Sequence, residues 1–369
     1  MMALWLTGTL GVTLVYVLLA LEAARRVRNA PSLPTVPADS PPFVSIIVAA
    51  RDEEEALPRC LAALRTQDYP AGCLEVLIAD DHSSDTTAAI IEQAVRKDAR
   101  FRYIRVPDAA GPLRGKAHAL HTAIQAARGD LLLFTDADCT PPPSWARHLS
   151  MQFEAPQTGV VCGVTLIEHR TLLDRVQALD WLLLLTMAAA ASEAGRPITA
   201  QGNNMAVCRA AYEAVGGYPA LPFSVTEDYL LFRTIHETTG WQVRLVADAT
   251  LKNRTRPLPT LPALFSQRKR WARGGLRAPA WVYPGYAAIF LTHMSLVAGL
   301  FIAPLPTLAL LSLKVAVDAL VLSTGARKLE TRAPFSALLA FEAYLFGYLL
   351  LMPFALLLTP RSTWKGRKV

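Results

Sequence analysis

The feature that most limits what this chain can become lies at its beginning, because no residue from Met2 to Leu21 is charged. An α-helix needs roughly 20 apolar residues to cross a hydrocarbon core about 30 Å thick, so this run has the length of one membrane span. A cleaved export signal carries positive charge ahead of its apolar run, whereas here Arg25, Arg26 and Arg28 come after it. The run therefore reads as a retained anchor. Basic residues on that flank belong on the cytoplasmic side, together with whatever follows them.

The far end repeats the pattern. Ala278 to Leu313 has no full charge and is interrupted by Pro304 and Pro306, and a second run from Ala333 to Thr359 is broken only by Glu342. Two or three membrane segments are expected there. The basic loop Arg327, Lys328 and Arg332 and the basic tail Arg361, Lys365, Arg367 and Lys368 both favour the cytoplasmic side, which leaves one apolar run interfacial or re-entrant. Lys314 and Asp318 stand four residues apart in apolar surroundings and share one helical face. They are expected to pair, to face a polar group, or to lie where the lysine snorkels to an interface.

Hydrophobic residues make up 52% of the 369 residues and charged residues still 18%, so the apolar excess is concentrated in these segments. What lies between them is long enough for one α/β domain. The net charge of +7 gathers beside the apolar runs, which points to anionic lipid headgroups and away from nucleic acid. Cys60, Cys73, Cys139, Cys162 and Cys208 form no CxxC pair, as suits a reduced compartment with neither disulfide nor zinc site.

A linker with Pro31, Pro34, Pro37, Pro41 and Pro42 leads into Phe43 to Ala50, a continuous β-branched run of the kind that forms a buried parallel strand. Leu57, Leu61 and Leu64 then recur at helical spacing. Leu74 to Ala79 reads as the next strand, with Asp85 as the N-cap of the helix that carries Ile90 and Ile91. Strand Phe101 to Val106, helix Lys116 to Ala127 and strand Leu131 to Thr135 continue the alternation. The pattern predicts an open, mainly parallel Rossmann-like sheet with helices on both faces.

Ligands of such sheets bind beyond the carboxyl ends of the strands, and two acidic clusters fall there. Asp136 and Asp138, one residue apart after a strand, can share one hard cation that keeps other positions for phosphate oxygens and water, although Asp-x-Asp alone is a common accident. Asp80 and Asp81 can accept from a base or ribose, or can simply shape a capping turn. Glu227 and Asp228 precede an apolar helical run, where carboxylates also serve the helix dipole. Gln267, Arg270 and Trp271 put an amide, a forked cation and an indole on adjacent turns, suited to a diphosphate and a ring, or to a basic helix at a membrane surface.

Taken in order, Val48-Ala-Ala-Arg-Asp-Glu-Glu54, Asp80-Asp-His-Ser-Ser-Asp85, Gly115-Lys116, Asp136-Ala-Asp138, Gly202-Asn-Asn204, Gly216-Gly-Tyr218, Thr226-Glu-Asp228 and Gln267-Arg-Lys-Arg-Trp271 form a set. The chain, from Phe43 to about Gly275 and in its membrane ends, resembles the inverting family 2 glycosyltransferases of GT-A fold. That family includes ceramide glucosyltransferases and the cellulose, chitin and hyaluronan synthases.

The resemblance implies a GT-A α/β catalytic domain over 43–277, after an anchor at 1–22 and a linker at 23–42. A C-terminal membrane region over 278–360 and a basic tail over 361–369 complete the expected plan. It implies Asp228 as general base, and Asp52, Asp80, Asp81, Lys116 and Asp136 on the donor, with Gln267, Arg270 and Trp271 in the motif that closes over the donor diphosphate and the acceptor end. Asn203, Asn204 and Glu227 fall on the acceptor side, and Asp136 with Asp138 as ligands of Mg2+ or Mn2+. Asp52 departs from the family, which usually has Asn there. The expected partners are a nucleotide diphosphate sugar, with UDP favoured and GDP open, a lipid or glycan acceptor, and membrane lipids. The expected setting is a bacterial inner membrane with the catalytic domain cytoplasmic, in glycolipid synthesis for the cell envelope. Three or four apolar segments are few for a polymer channel, so transfer of one sugar to a lipid is favoured over processive synthesis. The acids argue against a non-catalytic sensor, and the lack of GxGxxG after the first strand against an oxidoreductase.

Overall fold

The computed structural model describes residues 2–31, 33, 41–108, 111, 113–155, 157–358, 363–364 and 367–368. The linker residues Pro34 and Pro37 and the tail residues Arg361 and Lys365 lie outside the described residues. The chain divides into two compact units, one of residues 31–166 and 199–256, the other of residues 1–30, 167–198 and 257–369.

The first unit is built on a seven-stranded sheet. Its order across the sheet is Phe101–Arg105, Leu74–Asp80, Val44–Ala50, Leu131–Phe134, Met205–Cys208, Thr158–Cys162 and Gln242–Leu245. The central strands are apolar on both faces, and Ile46, Ile47, Val48, Leu77, Ile78, Leu132 and Leu133 are fully buried. That is what a sheet covered by helices on both sides requires. Parallel pairing puts Ala50 beside Asp80 and Ile47 beside Phe134, so the acidic turns leave the sheet along one edge.

The sheet is mixed at one place. Met205–Cys208 runs antiparallel to both of its neighbours, Leu131–Phe134 and Thr158–Cys162. The chain re-enters the sheet through Gly202-Asn-Asn204 at the edge where the other strands end, so this strand can only run back against them. The expected helix start also moves by one residue. Thr86 occupies the N-cap of Thr87–Lys97, and the Asp85 carboxylate instead accepts from the Thr87 and Glu54 amides at 2.9 and 3.1 Å. After Tyr212, Gly216 and Gly217 both adopt positive φ, 74° and 63°, and a Cβ on Gly217 would lie 2.6 Å from the Tyr212 ring. Only glycine makes that turn without strain.

The second unit is helical. Among the described residues four of its helices are long and apolar enough to cross a membrane: Met2–Asn29, Ala280–Ile302, Pro304–Lys328 and Phe335–Leu358. The first does not stop with its apolar run but continues through Arg25, Arg26 and Arg28. Ala303 breaks the chain between the next two, and Pro304 and Pro306 open the following helix, where a missing N–H costs nothing. Leu4, Phe301, Leu305, Leu339 and Leu357 are about four-fifths exposed, a surface suited to lipid and not to water. Lys314 and Asp318 are fully buried within this unit, which rules out the snorkelling alternative. Their charged atoms lie 2.9 Å apart, Glu342 contributes a second carboxylate to Lys314, and the Tyr16 hydroxyl donates to Asp318 at 2.5 Å. Two further helices, Leu172–Glu193 and Leu261–Gly275, belong to the same unit.

Candidate active site

Three segments of the first unit meet around one ammonium group. Gly115, at φ 58°, turns the chain into helix Gly115–Ala126 so that Lys116 stands in its first turn. The Lys116 Nζ lies 2.6 Å from Asp136 Oδ1, at the end of strand Leu131–Phe134, and 3.5 Å from Glu227 Oε1, at the start of helix Glu227–Thr238. Burial works against the lysine charge, but Asp136, then Glu227 and Asp228, outweigh it and hold the ammonium above the usual lysine range.

The carboxylates around it differ in character. Burial lifts Glu227 to about 7, opposed by Lys116 and reinforced by Asp228 and Asp136. Asp138 is exposed, yet desolvation by the surrounding protein, with Asp136 and then Glu53 adding repulsion, pushes it to about 6. Asp228 is fixed in direction. Its Oδ2 accepts from the Gly202 amide at 2.7 Å and its Oδ1 from the Tyr229 amide at 2.8 Å. A Cβ on Gly202 would come within 2.7 Å of both Asp228 Cβ and Oδ2, so glycine is required for this approach.

The neighbouring acids are tied into the turns. Asp80 accepts from the Tyr103 hydroxyl at 2.8 Å and the Ser83 amide at 3.0 Å, and the Asp81 carboxylate lies 3.6 Å from Arg51. Asp52 sits at φ 50°, a backbone region that Asn and Asp tolerate better than other side chains, and so fills the place of the usual Asn. Its carboxylate accepts from the Ser84 amide and hydroxyl at 2.7 and 3.1 Å, and the first of these bonds holds it below the ordinary aspartate value.

Asn203 accepts from the Thr165 hydroxyl at 2.9 Å. Asn204 is fully buried, accepting from the Trp145 indole at 2.8 Å and donating to the Leu251 carbonyl at 2.7 Å. Its amide is thus spent on bracing the turn that carries Gly202.

Tyr218 escaped the residue-by-residue reading beyond its place in a motif. Its hydroxyl is buried with no hydrogen-bond partner among the described residues, and burial followed by the Glu227 charge raises it well above the usual phenol range. With Arg114, Phe223 and Ser224 it lines a pocket into which Glu227 also faces. Gln267, Arg270 and Trp271 lie on helix Leu261–Gly275 of the other unit, whose first turn is capped by Thr260. The Trp271 ring packs against Trp181 with centroids 4.6 Å apart.

Among the described residues no group of three or more His, Cys, Asp or Glu side chains is arranged to hold a metal. Asp136 and Asp138 offer two hard oxygen donors in mutual repulsion, a set that fits a divalent cation drawing the rest of its shell from phosphate oxygens and water.

Comparison with known proteins bears on the family and the fold. The sequence model described as Glycosyl transferase family 2 matches residues 45–216, and that of Glycosyl transferase family group 2 matches residues 131–359. A Beta-monoglucosyldiacylglycerol synthase of Synechocystis sp. is 29% identical over 279 residues, 73% of this chain and 57% of that protein. A Poly-beta-1,6-N-acetyl-D-glucosamine synthase of Staphylococcus epidermidis is 27% identical over 241 residues, covering 63% and 54%. The chain thus spans about half the length of the curated relatives it matches. Among solved structures, a mannosyltransferase from Pyrobaculum calidifontis in complex with GDP-Man and Mn2+ shares the fold. Its TM-score is 0.61 at 22% identity, over 96% of this chain and 97% of that one.

Proposed function

The chain belongs to glycosyl transferase family group 2, and from that membership and the geometry of the acidic cluster we propose that it transfers one sugar from a nucleotide diphosphate donor to a lipid acceptor. The observation that carries this is the Asp228 carboxylate, aimed by the Gly202 amide in the same cluster as the Lys116 and Asp136 pair. A base for one substrate and a cationic cradle for the other are what a single displacement needs.

In this reading Asp228 takes the proton of the attacking acceptor hydroxyl, and attack from the face opposite the leaving group inverts the anomeric carbon. Lys116 meets the negative charge that grows on the departing diphosphate. Asp136 and Asp138 would hold the divalent cation, Mg2+ or Mn2+, which supplies further positive charge to that diphosphate. Asp80 and Asp81 serve the nucleoside, with UDP favoured. Gln267, Arg270 and Trp271 keep the donor and acceptor roles that their motif implies. The lipid acceptor is supported by the relatives named glucosyldiacylglycerol synthase. The relative named a poly-N-acetylglucosamine synthase supports extension of a glycan as the second reading. The arginines after the first apolar run support a catalytic unit on the cytoplasmic side, and the bacterial relatives support a bacterial inner membrane.

The test is incubation of membranes carrying the full chain with labelled UDP- and GDP-sugars, dioleoylglycerol and extracted lipid. Label in a single-sugar lipid is expected, lost in excess EDTA and in Asp138→Ala protein that remains folded. Label only in lipid-insoluble polymer selects the second reading, and full turnover in EDTA removes the cation from the scheme.

A further inference from the structure

The motif helix carries a second arginine with no role in the scheme above. Arg268 is 4% exposed, far more buried than a cation at a membrane surface needs to be. Its guanidinium lies over the Trp271 ring at 4.2 Å and over the Trp181 ring at 5.3 Å. It forms an ion pair with Asp180, which also accepts from the Tyr344 hydroxyl at 3.4 Å. Among the described residues none of its three nitrogens makes a well-aligned hydrogen bond.

This is a costly way to fill space. Burying an ion pair costs desolvation that its attraction repays only with good hydrogen bonds, and an apolar side chain of similar volume commonly does as well or better. What an apolar residue cannot supply is a planar cation on the face of an indole. Arg268 and Trp271 are three apart, one helical turn, so the guanidinium reaches the ring from its own helix. Asp180 and Trp181 reach it from helix Leu172–Glu193. The Trp271 indole is thereby held from two sides while still only half buried, leaving part of it open.

We propose that Arg268 is a positioning residue, clamped by Asp180 and Trp181, that fixes the Trp271 indole in the orientation in which it meets the acceptor. The inference rests on the assignment of Trp271 to the acceptor side of the transfer. It predicts that the clamp affects the acceptor and leaves the donor alone.

The test measures KM for dioleoylglycerol in micelles, or for whichever lipid the preceding assay labels, and KM for the nucleotide sugar, in the full-length enzyme. Arg268→Met alone leaves Asp180 buried without its partner and is prone to misfold, so the decisive variant is Arg268→Met with Asp180→Leu. It is expected to fold and to raise the acceptor KM roughly three- to tenfold with donor KM unchanged, the size of a desolvated cation–π contact. Arg268→Lys, which keeps the charge and loses the planar stack, should fall between. A double variant with wild-type acceptor KM, while Trp271→Ala still raises it, overturns the inference. So does an equal rise in both KM values, or a fall in kcat alone. No effect of Trp271→Ala on the acceptor, or no labelled lipid from wild-type enzyme, overturns the assignment of Trp271 itself and the inference with it.

Discussion

Glu227 and Asp228 are adjacent, of one chemistry, and occupy the first turn of the same helix, yet they end in different surroundings. Asp228 is held by two backbone amides, and Glu227 is packed against Lys116 and raised to about 7 by burial. Two consequences can be measured. Asp228→Asn keeps the shape and loses the proton acceptor, so transfer should fall by about 10² to 10⁴ while donor binding, followed by titration calorimetry, stays close to wild type. Lost donor affinity with unchanged turnover would instead make Asp228 a donor ligand and leave Glu227 as the base. The second concerns pH. Glu227 ordinarily titrates near 4.5 and here near 7, so the folded protein binds its proton more tightly than the unfolded chain does. The stability this adds is complete below about pH 4.5 and is lost as pH rises through 7. Glu227→Gln should therefore flatten the decline in thermal midpoint between pH 5 and pH 8, and an equal slope in both proteins would count against the raised value.

At the scale of elements, the site depends on the turn that ends at Asn204. That turn leads into the antiparallel strand Met205–Cys208 and is braced by Asn204 between Trp145 and Leu251, which brings the Gly202 amide to Asp228. Gly202→Ala adds a methyl 2.7 Å from the Asp228 Cβ, an atom with no freedom to swing aside. The aspartate must shift, and a displacement near 1 Å is enough to cost about 10²-fold in rate. The variant should keep a near-native thermal midpoint while losing about that much transfer, and wild-type turnover would show that the turn tolerates the methyl. The antiparallel direction of the strand was not legible beforehand. Met-Ala-Val-Cys is a short apolar run, and such a run reads alike in either direction. Asp85 was misplaced by one residue for a related reason, because Asp, Ser and Thr stand together there and each can cap a helix.

At the scale of the whole molecule, a fully buried lysine lies in the helical unit. Lys314 is buried between Asp318 and Glu342, with Tyr16 from the first helix on Asp318, so three membrane-length helices share one polar knot. Breaking such a knot leaves a bare charge in apolar surroundings and is costly in the membrane. Lys314→Met and Asp318→Leu should each reduce the amount of folded, inserted protein recovered from membranes. Their combination should recover part of it, and addition of Glu342→Leu most of the rest. Strictly additive losses would mean that the groups do not act as a set.

Several things followed from the order of residues alone. The membrane-length ends follow from uninterrupted apolar length, and the strand and helix alternation from periodicity. The positions of Asp80, Asp81, Asp136 and Asp138 follow because each acid stands at the end of a strand or shortly after it. These are local properties, set by residues near one another in the chain. The tertiary structure alone decided which groups meet. Lys116 reaches Asp136 and Glu227, Gly202 aims Asp228, Arg268 lies over the rings of Trp181 and Trp271, and Glu342 joins Lys314 across 28 residues. Such contacts join segments distant in sequence, and their energies depend on burial and distance, neither of which a string of residues records.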